Sequence, residues 1–152
     1  MNFMNDNSKK HDTGSRIVNE ETTMRHLELV QSVVSRMATN SFLLKGWSVT
    51  LAAGLFALAA KDSRAEFLIV AYLPTVAFWA LDAYYLRQER LFRCIYNAVR
   101  KGEKVEPFTL DTGPFNERTY NWFRTLVTPS IIAVHGTIVL LIFAVSCVLR
   151  RR

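Results

Sequence analysis

Three ionisable residues stand inside otherwise apolar stretches of this chain, and they are where chemistry could lie. Lys45 interrupts the run 42–60, Asp82 sits near the end of the run 67–86, and His135 lies within the run 129–149. Such a group is costly to desolvate, so it finds a partner or lines a path for ions or protons. The loop between the first two runs is short, Lys61 to Glu66, and short loops make antiparallel neighbours. If the turn centres near position 63–64, residues whose numbers add to about 127 share a level. Lys45 then faces Asp82, and Ser48 falls level with Trp79. One arrangement is an interhelical ion pair; the other is that both side chains reach separately to headgroups. His135 lies about 9 Å along a helix from its start at Pro129. Its candidate partners are the Ser48 hydroxyl and the Trp79 indole. A hydrogen bond there could simply fix helix packing, or the histidine could carry function.

Other chemistries lack their residues. The six glycines are scattered, so no nucleotide-binding loop is present. There is no CxxC or HExxH, and His11, His26 and His135 fall in different segments, so no metal set and no cofactor is expected. Ser146 and His135 share a run but stand about 16 Å apart along a helix, too far for a nucleophile and its base. Cys94 and Cys147 make no disulfide framework. The reading is therefore not an enzyme. A net charge of +6 raises nucleic acid as a partner. However, the basic residues flank the apolar runs, where anionic headgroups would lie, so the bilayer is expected instead.

The elements that must position these residues follow from the distribution of apolar side chains. The chain has 152 residues, 50% hydrophobic and 21% charged, which taken as an average would suit a soluble domain. Yet the three runs approach bilayer length, and Val139–Leu149 shows almost no polar face. The expected fold is an all-α membrane protein. A long helical hairpin, about 23–60 and 66–101, carries cytoplasmic extensions, and a third transmembrane helix starts at a Thr128 cap with Pro129 in its first turn. Stripes of Leu27, Val30, Val34 and Met37 and of Leu91, Ile95 and Val99 pack the extensions together, with Glu28 near Arg100. Residues 1–20 read as a disordered polar tail without a signal peptide, and 21–152 as one helical membrane domain. Gly102, Pro107, Gly113 and Pro114 make 102–116 a cytoplasmic loop. Asn116 is then expected to cap a short interfacial helix, Glu117–Val127.

Lys and Arg set the orientation. With the N-terminus inside, 13 basic residues face the cytoplasm and two face out, before the tail is counted. Arg150, Arg151 and Arg152 then fall outside; either the bias prevails or the last run is re-entrant. Trp47, Trp79, Trp122, Tyr84 and Tyr85 would form an aromatic belt on the cytoplasmic side. Arg87, Arg90, Arg93 and Arg100 make a basic cytoplasmic face on the second helix. Gly46, Thr50 and Gly54 form a small-residue stripe, and Gly136 offers the same on the third run. Such residues allow close helix approach, either between protomers or within one.

Two blocks carry a resemblance: Asn40-Ser-Phe-Leu-Leu-Lys-Gly-Trp-Ser-Val-Thr-Leu51 and Phe78-Trp-Ala-Leu-Asp-Ala-Tyr-Tyr-Leu-Arg-Gln-Glu-Arg-Leu-Phe-Arg93. They resemble a group of small bacterial membrane proteins. In its hairpin with cytoplasmic extensions that group is similar to the two-helix SLATT-type effector modules of anti-phage defence systems. The third run departs from the two-span pattern. The resemblance implies a multi-pass protein of the bacterial inner membrane that self-associates and perforates or depolarises the membrane when a cytoplasmic sensor protein is triggered. It supplies no catalytic residues. The competing expectation is a membrane anchor or adaptor that recruits a soluble partner through its basic helices.

Overall fold

Helix α1 runs Met4–Asp62 and α2 runs Glu66–Arg100, and their mutual packing forms the long axis of the protein. The computed structural model describes residues 4–62, 66–119 and 121–150, with side chains over 18–61, 70–119 and 121–148. After α2 come a 3-10 turn, Gly113–Arg118, then α3, Trp122–Leu126, and a short α4, Pro129–Ile131. A π turn, Ile132–Gly136, leads into α5, Thr137–Arg150. No strand occurs among the described residues.

Among the described residues two stretches are long and apolar enough to cross a membrane, Val18–Lys61 within α1 and Pro129–Val148. The core helix of a soluble protein is mostly buried; here only 17% and 22% of the most apolar windows are buried. The described residues of α2 do not meet the same measure of length and hydropathy.

Two apolar clusters hold the helices together. One joins Val30 and Val34 of α1 to Leu91, Ile95 and Ala98 of α2, closed by Phe115 from the 3-10 turn. The other joins Ala52 and Ala59 to Ala71, Ile138 and Ile142, bringing α5 onto the hairpin. Alanines at three of those five positions let the backbones approach closely. The stalk stripe is therefore close to the expected one, with Ala98 more deeply buried than Val99. Glu28 and Arg100 make no ion pair with each other; both side chains are exposed.

Three local expectations are corrected, all of them after α2, while helix α1 itself begins at Met4. Residues 4–22 contain no proline, and further along the Thr22 and Thr23 hydroxyls fold back onto the carbonyls of Val18 and Asn19, so the helical ladder continues outward from the packed stalk. The capping asparagine is Asn121, whose side chain accepts from the Arg124 N–H at 2.9 Å, and the helix it caps starts at Trp122 rather than Glu117. Asn116 instead lies in a 3-10 turn opened by Pro114 and accepts from Arg87 Nη2 at 3.0 Å. Thr128 does take the N-cap position before Pro129, but its hydroxyl donates backwards to the Thr125 carbonyl and caps nothing. Finally, the third run is not one regular helix: the π turn interrupts it at Ile132–Gly136.

Candidate functional site

Asp82 is fully buried, and its carboxylate receives three donors from two other segments of the chain. The hairpin supplies two. Ser41 and Lys45 sit one turn apart on α1, on the face that meets α2. The Ser41 hydroxyl donates to Oδ1 at 2.5 Å, and Lys45 Nζ lies 2.7 Å from both carboxylate oxygens. Lys45 also donates to Ser41 Oγ at 2.8 Å, so the three groups close a ring. The third donor comes from the far end of the chain. His135 Nε2 stands 3.1 Å from Asp82 Oδ2, and the imidazole is fully buried. With its proton on Nε2 the ring leaves Nδ1 as an acceptor, facing the Ser48 hydroxyl at 3.4 Å.

His135 lies within the π turn. Ile131, His135, Ile138 and Ile142 form the buried stripe of this segment, and His135 is the polar member. Gly136 follows it, and a Cβ at that position would stand 3.2 Å from Ile132 Cγ2, so the wide turn closes tightly on itself. Single π turns inside helices are frequent at functional sites. Trp79 covers the imidazole from the α2 side, its ring 6.1 Å away and within 11° of parallel. Its indole N–H does not donate to His135; it donates to the Leu126 carbonyl at 2.9 Å, the end of α3. Trp122 returns the contact, its indole N–H reaching the Ala80 carbonyl at 3.4 Å. So α3 is stitched to α2 next to the cluster.

Of the residues singled out by sequence, Lys45, Asp82, His135, Ser48 and Trp79 all meet here. One residue and one contact were missed. Ser41 carries the signal that could have found it: it lies four residues before Lys45, on the same helix face. The His135–Asp82 contact had no such signal. Chemically, the cluster pairs one carboxylate with one ammonium and adds an imidazole that can hold a proton on either nitrogen. Among the described residues no three His, Cys, Asp or Glu side chains come together as a metal set.

The remaining residues lie elsewhere. Gly46, Thr50 and Gly54 face outward, and a Cβ at Gly46 or Gly54 would meet nothing within 4 Å. Trp47 is also on the outer face, 58% exposed. Arg87 binds Asn116, Arg93 pairs with Glu89 at 2.8 Å, and Arg100 is exposed at the end of α2. Arg90 and Arg93 line a groove with Arg118 and Arg124. The tail arginines 151 and 152 lie outside the described residues. No protein-family model, curated protein or solved structure matches the chain.

Proposed function

We propose that this protein is an oligomeric effector of the bacterial inner membrane, channel-like in action and triggered by a cytoplasmic partner, in the manner of the SLATT-type modules of anti-phage defence. It crosses the membrane three times with its N-terminus in the cytoplasm. The observation that carries the reading is the division of α1 into two faces. Ser41, Ser48, Ala52 and Ala59 are buried in the protomer, whereas the Gly46, Thr50 and Gly54 stripe is unused by it. In lipid, apolar helices gain little by leaving the solvent, so association depends on such close-packing faces.

The membrane part of the reading is supported by large apolar side chains exposed on all three apolar segments. Phe42 and Leu43 on α1, Leu73 and Val76 on α2, and Leu140 and Phe143 on α5 all point outward. In water these would be a liability; facing acyl chains they need no partner. The excess of 13 basic residues on the cytoplasmic side against five outside, the tail included, supports the orientation. The second reading, an anchor that recruits a soluble partner, draws on the arginines gathered beside α2.

Reconstitution separates the two. The wild type is expected to form multimers in lipid nanodiscs and to make vesicles leak ions when its partner is supplied. Gly54→Leu is expected to lower both severalfold while leaving protomer stability unchanged, because the new side chain meets open space. Leu58→Ile serves as the neutral control. A protein that stays monomeric at high concentration and causes no leak, even with the products of adjacent genes present, would leave the anchor reading in its place.

A further inference from the structure

Four arginines from three separate elements converge on one open groove of about 820 Å³. Arg90 and Arg93 come from α2, Arg118 ends the 3-10 turn, and Arg124 belongs to α3. At the rim Arg93 Nε binds Glu89 at 2.8 Å, and Arg118 Nη1 binds Glu103 at 2.9 Å. The Arg118 guanidinium also lies 5.1 Å over the Phe115 ring, which fixes its plane. Each guanidinium carries five N–H donors, so both keep donors to spare. The Arg124 side chain makes no hydrogen bond or ion pair among the described residues. Glu117 also lines the groove. Counted with Glu89 and Glu103, three carboxylates stand against four arginines. The groove therefore has positive charge left over, and Arg93, Arg118 and Arg124 keep uncommitted N–H groups.

We propose that this groove binds a phosphate group. A guanidinium fork matches the spacing of phosphate oxygens, and donors arriving from several directions suit a tetrahedral anion better than a flat one. Two sources offer that chemistry, a phospholipid headgroup and a soluble phosphate ester. Position favours the headgroup. Arg90 lies about 12 Å along α2 from the buried Asp82, on the cytoplasmic side in the orientation proposed above. Beside the groove, Trp122 and Phe123 pack edge to face at 5.1 Å, and Phe123 is 72% exposed, as an interfacial anchor would be. The lipid source rests on the membrane reading; the phosphate site itself does not, and neither rests on self-association.

The full chain in a neutral detergent is titrated with phosphatidylglycerol, the phosphate-free lipid diacylglycerol, inorganic phosphate and glycerol 3-phosphate, followed by tryptophan fluorescence. Phosphatidylglycerol is expected to bind more tightly than diacylglycerol. Arg124→Gln is expected to weaken it roughly tenfold, the loss of one charge-assisted bond. Arg93→Gln is expected to act in the same direction, Arg124→Lys to fall in between, and Arg36→Gln, on the exposed outer side of α1, to change nothing. Competition by inorganic phosphate or glycerol 3-phosphate assigns the site to a soluble ester as well; lipid binding without competition assigns it to the headgroup alone. The proposal is overturned if the two lipids bind equally and the soluble phosphates do not bind. It is also overturned if neither Arg124→Gln nor Arg93→Gln weakens any of them.

Discussion

His135 and Asp82 are 53 residues apart in sequence and meet at 3.1 Å in the interior. That contact ties the third apolar segment to the hairpin, since the other donors to Asp82 all come from α1. The carboxylate is thus the hub: it serves Ser41 and Lys45 from the hairpin and His135 from a segment that arrives after a long excursion through the loop, the 3-10 turn and α3.

Loss of Asp82 should be worse than loss of Lys45. Asp82→Ala strands an ammonium, an imidazole N–H and a hydroxyl, whereas Lys45→Met leaves a carboxylate that still has Ser41 and His135. Breaking a buried pair on one side costs about 3–5 kcal/mol. The double variant should therefore lose less than the sum of the single losses, measured by SDS-induced unfolding. Strictly additive losses would show that the pair is not coupled.

At position 135 the donor matters more than the ring. His135→Phe keeps an aromatic face for Trp79 but removes the donor to Asp82, at a cost of about 1–3 kcal/mol. His135→Gln keeps an N–H donor and should lose less. Thermal unfolding in detergent ranks the two; the reverse order would place the stacking with Trp79 above the hydrogen bond.

Apolar positions should divide sharply by side. Leu91 is buried between the stalk helices, so Leu91→Ala should cost about 2–5 kcal/mol. Leu73 is 77% exposed, and Leu73→Ala should change protomer stability by less than about 0.5 kcal/mol. Equal losses at the two sites would mean that Leu73 has a partner in the assembled protein.

Topology can be read with single cysteines in a background of Cys94→Ala and Cys147→Ala. A cysteine at the exposed Ser35 should resist a membrane-impermeant thiol reagent in intact cells, and one at position 63 should react. Labelling at position 35 instead would invert the orientation.

The level of Lys45 against Asp82 was legible in the sequence because a short loop leaves an antiparallel hairpin almost no freedom of register. Both helices rise by the same amount per residue, so counting outward from the turn places partners at one depth. The apolar runs, the stalk stripes and the loop after α2 were legible for the same reason: they depend on local periodicity and on glycine and proline positions. What the sequence alone determined, then, was the set of apolar segments and the register of the first two.

Only the tertiary structure decided what the third segment does. It follows α2 through 28 intervening residues, 101–128, a connection long enough to set neither its depth nor its rotation. His135 therefore had Ser48 and Trp79 as candidates by depth, and its contact with Asp82 emerged only once the packing of this segment on the hairpin was known. The same long connection carries Arg118 and Arg124 back beside Arg90 and Arg93. Read linearly, the basic face was Arg87, Arg90, Arg93 and Arg100, one side of one helix; in space the groove draws on three elements, and Arg87 and Arg100 stand outside it. Periodicity ranks residues along one helix, but which residues converge from different segments is set by packing between them.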